Sequence, residues 1–446
     1  MEINYSKVYF IGIGGIGMSS IALYFLNSGK LVAGYDKTKT DLTQTLINNG
    51  VHINFNLNLN NIPSHFMDCS NTLIVYTPAI SNDNIQLDYF VKNGFHVLKR
   101  SQVLGLISQN KFCIAIAGTH GKTTTSTILS HLLYENNISF TSFIGGISEN
   151  YNSNLIENGQ EIVLVEADEF DRSFLTLKPN IACITSIDSD HLDVYNSPKE
   201  LQETFKEFAD NLEKDGVLFK SFDLPINGID YGFSPKADYS VENYRVEDDC
   251  VYFDVKYPNS LCKNIKFNMP GKHNVCNALA AFAICKNLKI NDDDLVKSFG
   301  TFKGVKRRFS YVLKSPKILI DDYAHHPKEI KAISDSVYSL YPTKKIMAVF
   351  QPHLFSRTKD FMDDFAYELS KFNEIVLMNI YPAREDPIIG IDSKELLNRI
   401  DNNKKILLER DDLTDYIIKS ESDVIVVMGA GDISKEVEKI KNAILN

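Results

Sequence analysis

Three times along this chain an apolar run stops at a glycine-rich turn and then resumes with helix-like character. The first start is Lys7-Val-Tyr-Phe-Ile-Gly-Ile-Gly-Gly-Ile-Gly-Met18. The second is Lys111-Phe-Cys-Ile-Ala-Ile-Ala-Gly-Thr-His-Gly-Lys-Thr-Thr-Thr125. The third region holds Lys317–Pro327, Lys345–Thr358 and Val424–Ile433. A strand that is apolar along its whole length is buried on both faces, which is the habit of parallel sheets covered by helices. A glycine turn at its end lets backbone amides face a ligand at the next helix N-terminus. The pattern therefore predicts an α/β chain of three nucleotide-binding-like units, divided at 1–105, 106–310 and 311–446. At 446 residues the length agrees with about three domains.

The second start is the most specific. Gly118, Thr119, Gly121, Lys122, Thr123 and Thr124 have the order of a phosphate-binding loop, although Ile116 stands where the first glycine is usual. Lys122 would meet the β- and γ-phosphates and Thr123 would hold Mg²⁺. Glu166 ends the next apolar run, Glu161–Glu166, where a metal-holding carboxylate is expected. Asp168-Glu169 reads as a solvated charge run. His191, after the run Ile181–Ile187, would ligate a second cation or touch substrate.

In the first start, Gly12, Gly14 and Gly17 match G-x-G-x-x-G. Asp36 ends the following run, at the distance of a ribose-binding carboxylate. Taken alone, these residues do not separate NAD from a UDP-sugar. A nicotinamide-dependent oxidoreductase would account for them and leave the Lys122 loop unexplained. Residues 216–268 alternate short β-like runs with turns and read as a β-rich insertion. Asn274 and Asn277 precede a helix read as Ala278–Asn287. They would meet an adenine edge or cap the helix, and the cap is the simpler reading. Arg307 and Arg308, between Gly304 and Phe309, suit a phosphate clamp.

Composition narrows the partners. The net charge is −10, which argues against nucleic acid. No apolar run reaches the roughly 20 residues of a membrane span. Met1–Lys7 has no signal-peptide pattern. The seven cysteines form no Cys-x-x-Cys pair, as expected of reduced thiols in a cytoplasmic protein. The chain is expected to be a monomer or weak homodimer.

In order, the motifs Gly-Ile-Gly-Gly-Ile-Gly-Met, Gly-Thr-His-Gly-Lys-Thr-Thr, Val-Glu-Ala-Asp-Glu, Asp-His-Leu-Asp, Gly-Lys-His-Asn-x-x-Asn, Arg-Arg-Phe and Asp-Asp-Tyr-Ala-His-His-Pro resemble the Mur ligase family over the whole chain. The resemblance implies a Rossmann-like UDP-binding domain, a central P-loop ATPase-like α/β domain and a C-terminal Rossmann-like domain. It implies ATP-driven, Mg²⁺-assisted amide synthesis through an acyl phosphate, within peptidoglycan precursor supply. The branch it resembles joins L-alanine to UDP-N-acetylmuramate. A recycling branch joins a tripeptide to the same sugar, and Gln351-Pro-His-x-x-Ser-Arg-Thr358 favours the single amino acid. Carried over residue by residue, Gly14, Gly15, Ile16, Gly17, Asp36 and Ser81 would serve the UDP-sugar. Lys122 and Thr123 would serve ATP, while Glu166 and His191 would hold metal. Asn274 and Asn277 would meet adenine, Arg308 and Asp322 the nucleotide, and His326 and Arg357 the amino acid. The chain departs from many relatives at Leu354 and Lys359, where they carry arginine. Lys206 stands where several relatives carry a carbamylated lysine, and an ordinary helix lysine is the simpler reading.

Overall fold

The computed structural model describes residues 4–81, 83–188, 195, 197–247, 249–383 and 385–446. They form two compact units. One comprises Met1–Glu242, Asp254–Lys263 and Cys276–Phe302, and the other Asn243–Phe253, Asn264–Val275 and Lys303–Asn446.

The first sheet contains β1 (Lys7–Ile11), β2 (Leu31–Tyr35), β3 (His52–Asn54), β4 (Thr72–Tyr76) and β5 (His96–Lys99), in the order β3-β2-β1-β4-β5. All its pairings are parallel. The order reverses at β1, which puts a ligand crevice at the carboxyl ends of β1 and β4. The glycine turn and the helix Ile16–Asn27 follow β1 there.

The second sheet contains β6 (Phe112–Ala117), β7 (Phe140–Phe143), β8 (Leu155–Glu157), β9 (Ile162–Glu166), β10 (Ile181–Ile184), β11 (Val217–Ser221), β12 (Ile229–Gly232), β13 (Tyr239–Glu247), β14 (Cys250–Tyr257) and β15 (Ser260–Phe267). Its order is β15-β14-β13-β12-β11-β10-β6-β9-β7-β8. The stretch read as an insertion is thus a continuation of the sheet. β10, β11, β12 and β13 pair in parallel one after another. Those strands carry polar residues such as Lys220 and Asp230, so they lack the uniform apolar look of β6 and β9.

The first two sheets share one hydrophobic core, from Val8, Ile21 and Phe25 to Phe143, Leu155 and Val165. The helix Ile16–Asn27 joins them. Asn154 Nδ2 donates to the Ile16 carbonyl at 2.7 Å and to Ser19 Oγ at 2.9 Å, and the Tyr24 ring meets Phe143 edge-on at 5.4 Å.

In the other unit, β16 (Ser310–Leu313), β17 (Ile318–Asp322), β18 (Ile346–Phe350), β19 (Glu374–Leu377), β20 (Lys405–Leu407) and β21 (Val424–Met428) order as β16-β17-β21-β18-β19-β20. Only β16 is antiparallel among the pairings of this sheet. An apolar cluster covers each face.

Candidate active site

β6 sits between β9 and β10, so the second sheet reverses where the phosphate loop leaves β6. Gly121 starts the helix Lys122–Glu135 at φ +84°, a left-handed conformation that a side chain would strain. The end of β10 braces the loop. The Thr119 and Ser186 hydroxyls lie 2.9 Å apart, and His120 N–H donates to Ser186 Oγ at 2.8 Å. Thr185 Oγ1 donates to the Ala117 carbonyl at 3.1 Å. Thr124 is buried in the first helical turn.

Thr123 and Glu166 converge. Thr123 Oγ1 donates to Glu166 Oε1 at 2.9 Å, and Gly145 N–H donates to Oε2 at 2.7 Å. A hydroxyl and a carboxylate side by side are the hard oxygen donors that Mg²⁺ accepts. Among the described residues no cluster of three or more His, Cys, Asp or Glu is set to hold a metal. Mg²⁺ is commonly held by one or two carboxylates together with substrate phosphates and waters, a set in which Thr123 and Glu166 fit. His191 lies outside the described residues.

Lys122 does not stand free. Its ammonium donates to the Gly118 carbonyl at 2.6 Å and to both Glu169 oxygens at 2.9 and 2.6 Å. Burial works against this charge, but Glu169, Asp168 and Glu166 outweigh it and hold the ammonium above its ordinary range. The solvated reading of Asp168-Glu169 is corrected here for Glu169, while the Asp168 side chain stays 38 % exposed. Glu169 is 0 % exposed, and Asp168 pairs with Arg100 at 3.2 Å. A buried carboxylate requires such a partner.

A cavity of about 310 Å³ is lined by Gly15, Ile16 and Gly17 from the first sheet's turn and by Lys122, Glu166 and Asp168 from the second. Thr77 and Arg100 also line it. A Cβ on Gly17 would stand 2.6 Å from Arg100 Nη1, so the arginine passes directly over the glycine turn. Arg100 went unread in the sequence, although it follows β5 immediately and a strand-end rule would have found it. Gly14 N–H donates to Asp36 Oδ2 at 2.7 Å, and Asp36 Oδ1 accepts from Thr38 N–H at 2.9 Å, so Asp36 fastens the turn. Ser81 is exposed, bonds to Asp83, and is not part of that wall.

The helix read as Ala278–Asn287 starts at Lys272, so neither asparagine is a cap. Asn274 Nδ2 donates back to the Pro270 carbonyl at 2.7 Å. Asn277 lies beside the phosphate loop, its Oδ1 2.5 Å from where a Gly121 Cβ would be. Lys206 is exposed on the helix Pro198–Asp210.

The other unit gathers polar groups at the ends of β17, β18 and β21. Asp322 is buried and accepts from Phe309 N–H and Ala324 N–H, both at 2.7 Å. Burial pushes its carboxyl up to about 7 against Arg308 and these two amides. The Arg307 and Arg308 guanidinium carbons lie 4.8 and 5.2 Å from the Tyr323 ring centre. Arg307 also bonds to the Gly429 carbonyl. His326 caps the helix Pro327–Leu340, accepting from Lys328 N–H at 3.3 Å, and packs edge-on against Phe361. Both Asp322 and His326 thus hold backbone in place. Arg357 follows β18 on the short helix Phe355–Asp360, 8 % exposed, with Nη1 3.4 Å from His353 Nδ1.

Comparison with known proteins agrees with this arrangement. The Mur ligase family, catalytic domain, matches residues 7–112, the Mur ligase middle domain 116–285, and the Mur ligase, glutamate ligase domain 307–431. A UDP-N-acetylmuramate–L-alanine ligase of Christiangramia forsetii is 50% identical, over 100% of this chain and 99% of its own. Its counterpart in Flavobacterium psychrophilum is 51% identical, over 98% and 97%. The crystal structure of the UDP-N-acetylmuramate–alanine ligase of Thermotoga maritima superposes with a TM-score of 0.84 at 27% identity, covering 98% of both chains. With all three domains matched in order along its length, the chain belongs to the Mur ligase family.

Proposed function

We propose that this chain joins L-alanine to the carboxylate of UDP-N-acetylmuramate, splitting ATP to ADP and phosphate, in the supply of peptidoglycan precursor. The observation that carries this reading is one cavity lined by the Gly15–Gly17 turn and by Lys122 and Glu166. A sugar nucleotide on the turn and ATP on the loop would there share one space. The UDP pyrophosphate would rest on the N-terminus of the helix Ile16–Asn27, which has no acidic residue in its first turn. Arg100 would add positive charge above it.

The muramate carboxylate would attack the γ-phosphorus, giving an acyl phosphate and ADP. A carboxylate acylates nothing until it carries a leaving group, and phosphate supplies one. The neutral amine of L-alanine would then attack the acyl carbon, and the tetrahedral intermediate would expel phosphate. Lys122 would hold the transferring phosphoryl group. Thr123 and Glu166 would hold Mg²⁺, with His191 for a second ion, and the bound metal supplies charge neutralisation on that group. Asn277 would meet the nucleotide from beside Gly121, and Asn274 from the same helix. Arg308 would take phosphate oxygens. Asp322 and His326 would support this unit's nucleotide and amino-acid contacts through the backbone they fix. Arg357 would hold the alanine carboxylate through two parallel hydrogen bonds. Holding the reactants in line supplies much of the remaining rate. Seven free cysteines suit a reducing compartment, the cytoplasm.

The test is ADP release in a coupled assay with UDP-N-acetylmuramate and a panel of acceptors. L-alanine should be preferred, with glycine and L-serine weaker, since one methyl group discriminates modestly. Preference for a tripeptide would assign the chain to the recycling branch instead.

A further inference from the structure

The glycine turn after β21, Gly429-Ala-Gly431, takes no step in the chemistry above. It is filled from within its own unit. A Cβ on Gly431 would stand 2.5 Å from Gln351 Oε1 and 2.7 Å from Tyr381 Cγ, so a glycine is needed for that ring to pack there. The Tyr381 ring in turn stacks on His353, with centres 5.7 Å apart and planes 17° from parallel. Its backbone is tied to the same stretch. Tyr381 N–H donates to the Pro352 carbonyl at 2.8 Å, and Leu354 N–H donates to the Tyr381 carbonyl at 3.0 Å. His353 Nδ1 meets Arg357 Nη1 at 3.4 Å. Further along the same stretch, Glu385 closes on the helix Phe355–Asp360 itself. Ser356 N–H donates to one of its oxygens at 2.9 Å, and the Ser356 hydroxyl donates to the other. That helix needs outside support. So short a helix is not stable alone, and Leu354 at its N-cap offers no side-chain acceptor and has a strained φ of +72°.

We propose that Glu385 is a positioning residue for the amino-acid acceptor: backed by the Tyr381 ring, its carboxylate sets the short helix so that Arg357 meets the alanine carboxylate squarely. A two-bond grip needs the guanidinium plane aligned with the carboxylate, and a small tilt loses one of the bonds. Ser356 directly precedes Arg357 in the first turn of the helix, so a carboxylate fixed on Ser356 acts on the turn that aims the arginine. The groups assigned to ATP, Lys122, Thr123 and Arg308, stand on other segments. Loosening the helix should therefore fall on alanine and spare the nucleotide. This rests on reading Arg357 as the holder of the alanine carboxylate.

Initial rates with UDP-N-acetylmuramate, ATP and varied L-alanine test it. Glu385→Ala should raise the alanine KM about fivefold, the effect of one lost helix cap, with kcat and the ATP KM within about twofold of wild type. Tyr381→Leu should raise the alanine KM as well, and Tyr381→Phe, which keeps the ring, should restore most of the loss. Glu385→Ala placed on Arg357→Lys should add less than about twofold, because lysine has no two-bond grip left to misalign. Melting curves accompany every variant, and if Glu385→Ala does not fold, the Tyr381 pair decides. A merely structural Glu385 would lower melting temperature and kcat at an unchanged alanine KM, or would multiply in full with Arg357→Lys, and either result overturns the proposal. Arg357→Lys with a wild-type alanine KM would overturn the reading of Arg357 as well, whereas a raised KM in that variant beside an unaltered Glu385→Ala overturns Glu385 alone.

Discussion

Asp168-Glu169 follows β9 and Asp321-Asp322 ends β17, so each unit carries two adjacent carboxylates at the mouth of a parallel sheet. Beside the phosphate loop each carboxylate faces a side-chain cation, Asp168 with Arg100 and Glu169 with Lys122, and the lysine is held charged. In the other unit Asp321 has Arg307 at 3.6 Å, while Asp322 spends both oxygens on backbone amides. Burial then wins, lifting Asp321 to about 6 and Asp322 to about 7. Two acidic residues in a row say little by themselves. Their surroundings, a side-chain cation for three of them and a pair of backbone amides for Asp322, tell them apart.

That contrast can be broken at its strongest point first. Lys122→Ala should lower the melting temperature, since the ammonium facing the buried Glu169 carboxylate is lost, while turnover drops about 10²-fold or more with the loss of a phosphate-stabilising group. Steady-state ADP release together with a melting curve checks it. Near-normal turnover would erase the functional side of the comparison.

Asp322→Asn should instead act on stability, costing about 1–3 kcal/mol because an amide NH₂ must face a backbone N–H. The pH dependence has a definite sign. The folded carboxyl binds its proton up to about 7, the unfolded one only to 3.8, so this contribution is complete below 3.8 and lost as pH rises through about 7. Burial pushes His273 down to about 4, and it acts in the opposite direction. The informative quantity is therefore the difference between wild-type and variant melting profiles, which should shrink toward neutral pH. A constant difference would place the Asp322 carboxyl at an ordinary value.

Arg357→Lys should raise the KM for L-alanine about tenfold and that for ATP much less, because lysine cannot copy a two-bond grip on a carboxylate. Initial rates at varied alanine and varied ATP separate the two. Lys206→Ala supplies the smallest effect. An exposed helix lysine should change melting by no more than about 0.5 kcal/mol, with activity unaltered.

Much of this was legible from the chain alone. Apolar strands ending at Gly12 and Gly118 announced the parallel sheets, and Thr123 with Glu166 could be paired because each follows or ends such a strand. Glu169 was hidden, since burial of an acidic residue depends on the turn Phe170–Thr176 and on distant Tyr195, which leave no local pattern. Arg100 stands at a strand end that the chain alone marks, but its pairing with Asp168, 68 positions away, leaves no local pattern. The β-rich character of residues 216–268 was legible, but the pairing of β10 with β11 that continues the central sheet was not, because polar residues such as Lys220 and Asp230 break the apolar pattern.

The clasp of Asn154 and Phe143 on the helix Ile16–Asn27 also bears on how this chain can be recombined. Residues 1–105 look like an exchangeable cassette, because they carry a whole sheet and their own glycine turn. Cut free, that cassette would present to water the Tyr24 edge that meets Phe143 and the Ser19 hydroxyl that meets Asn154. A chimaera that takes its first hundred residues from another source must therefore bring matching partners at 143 and 154, or it inherits an open seam.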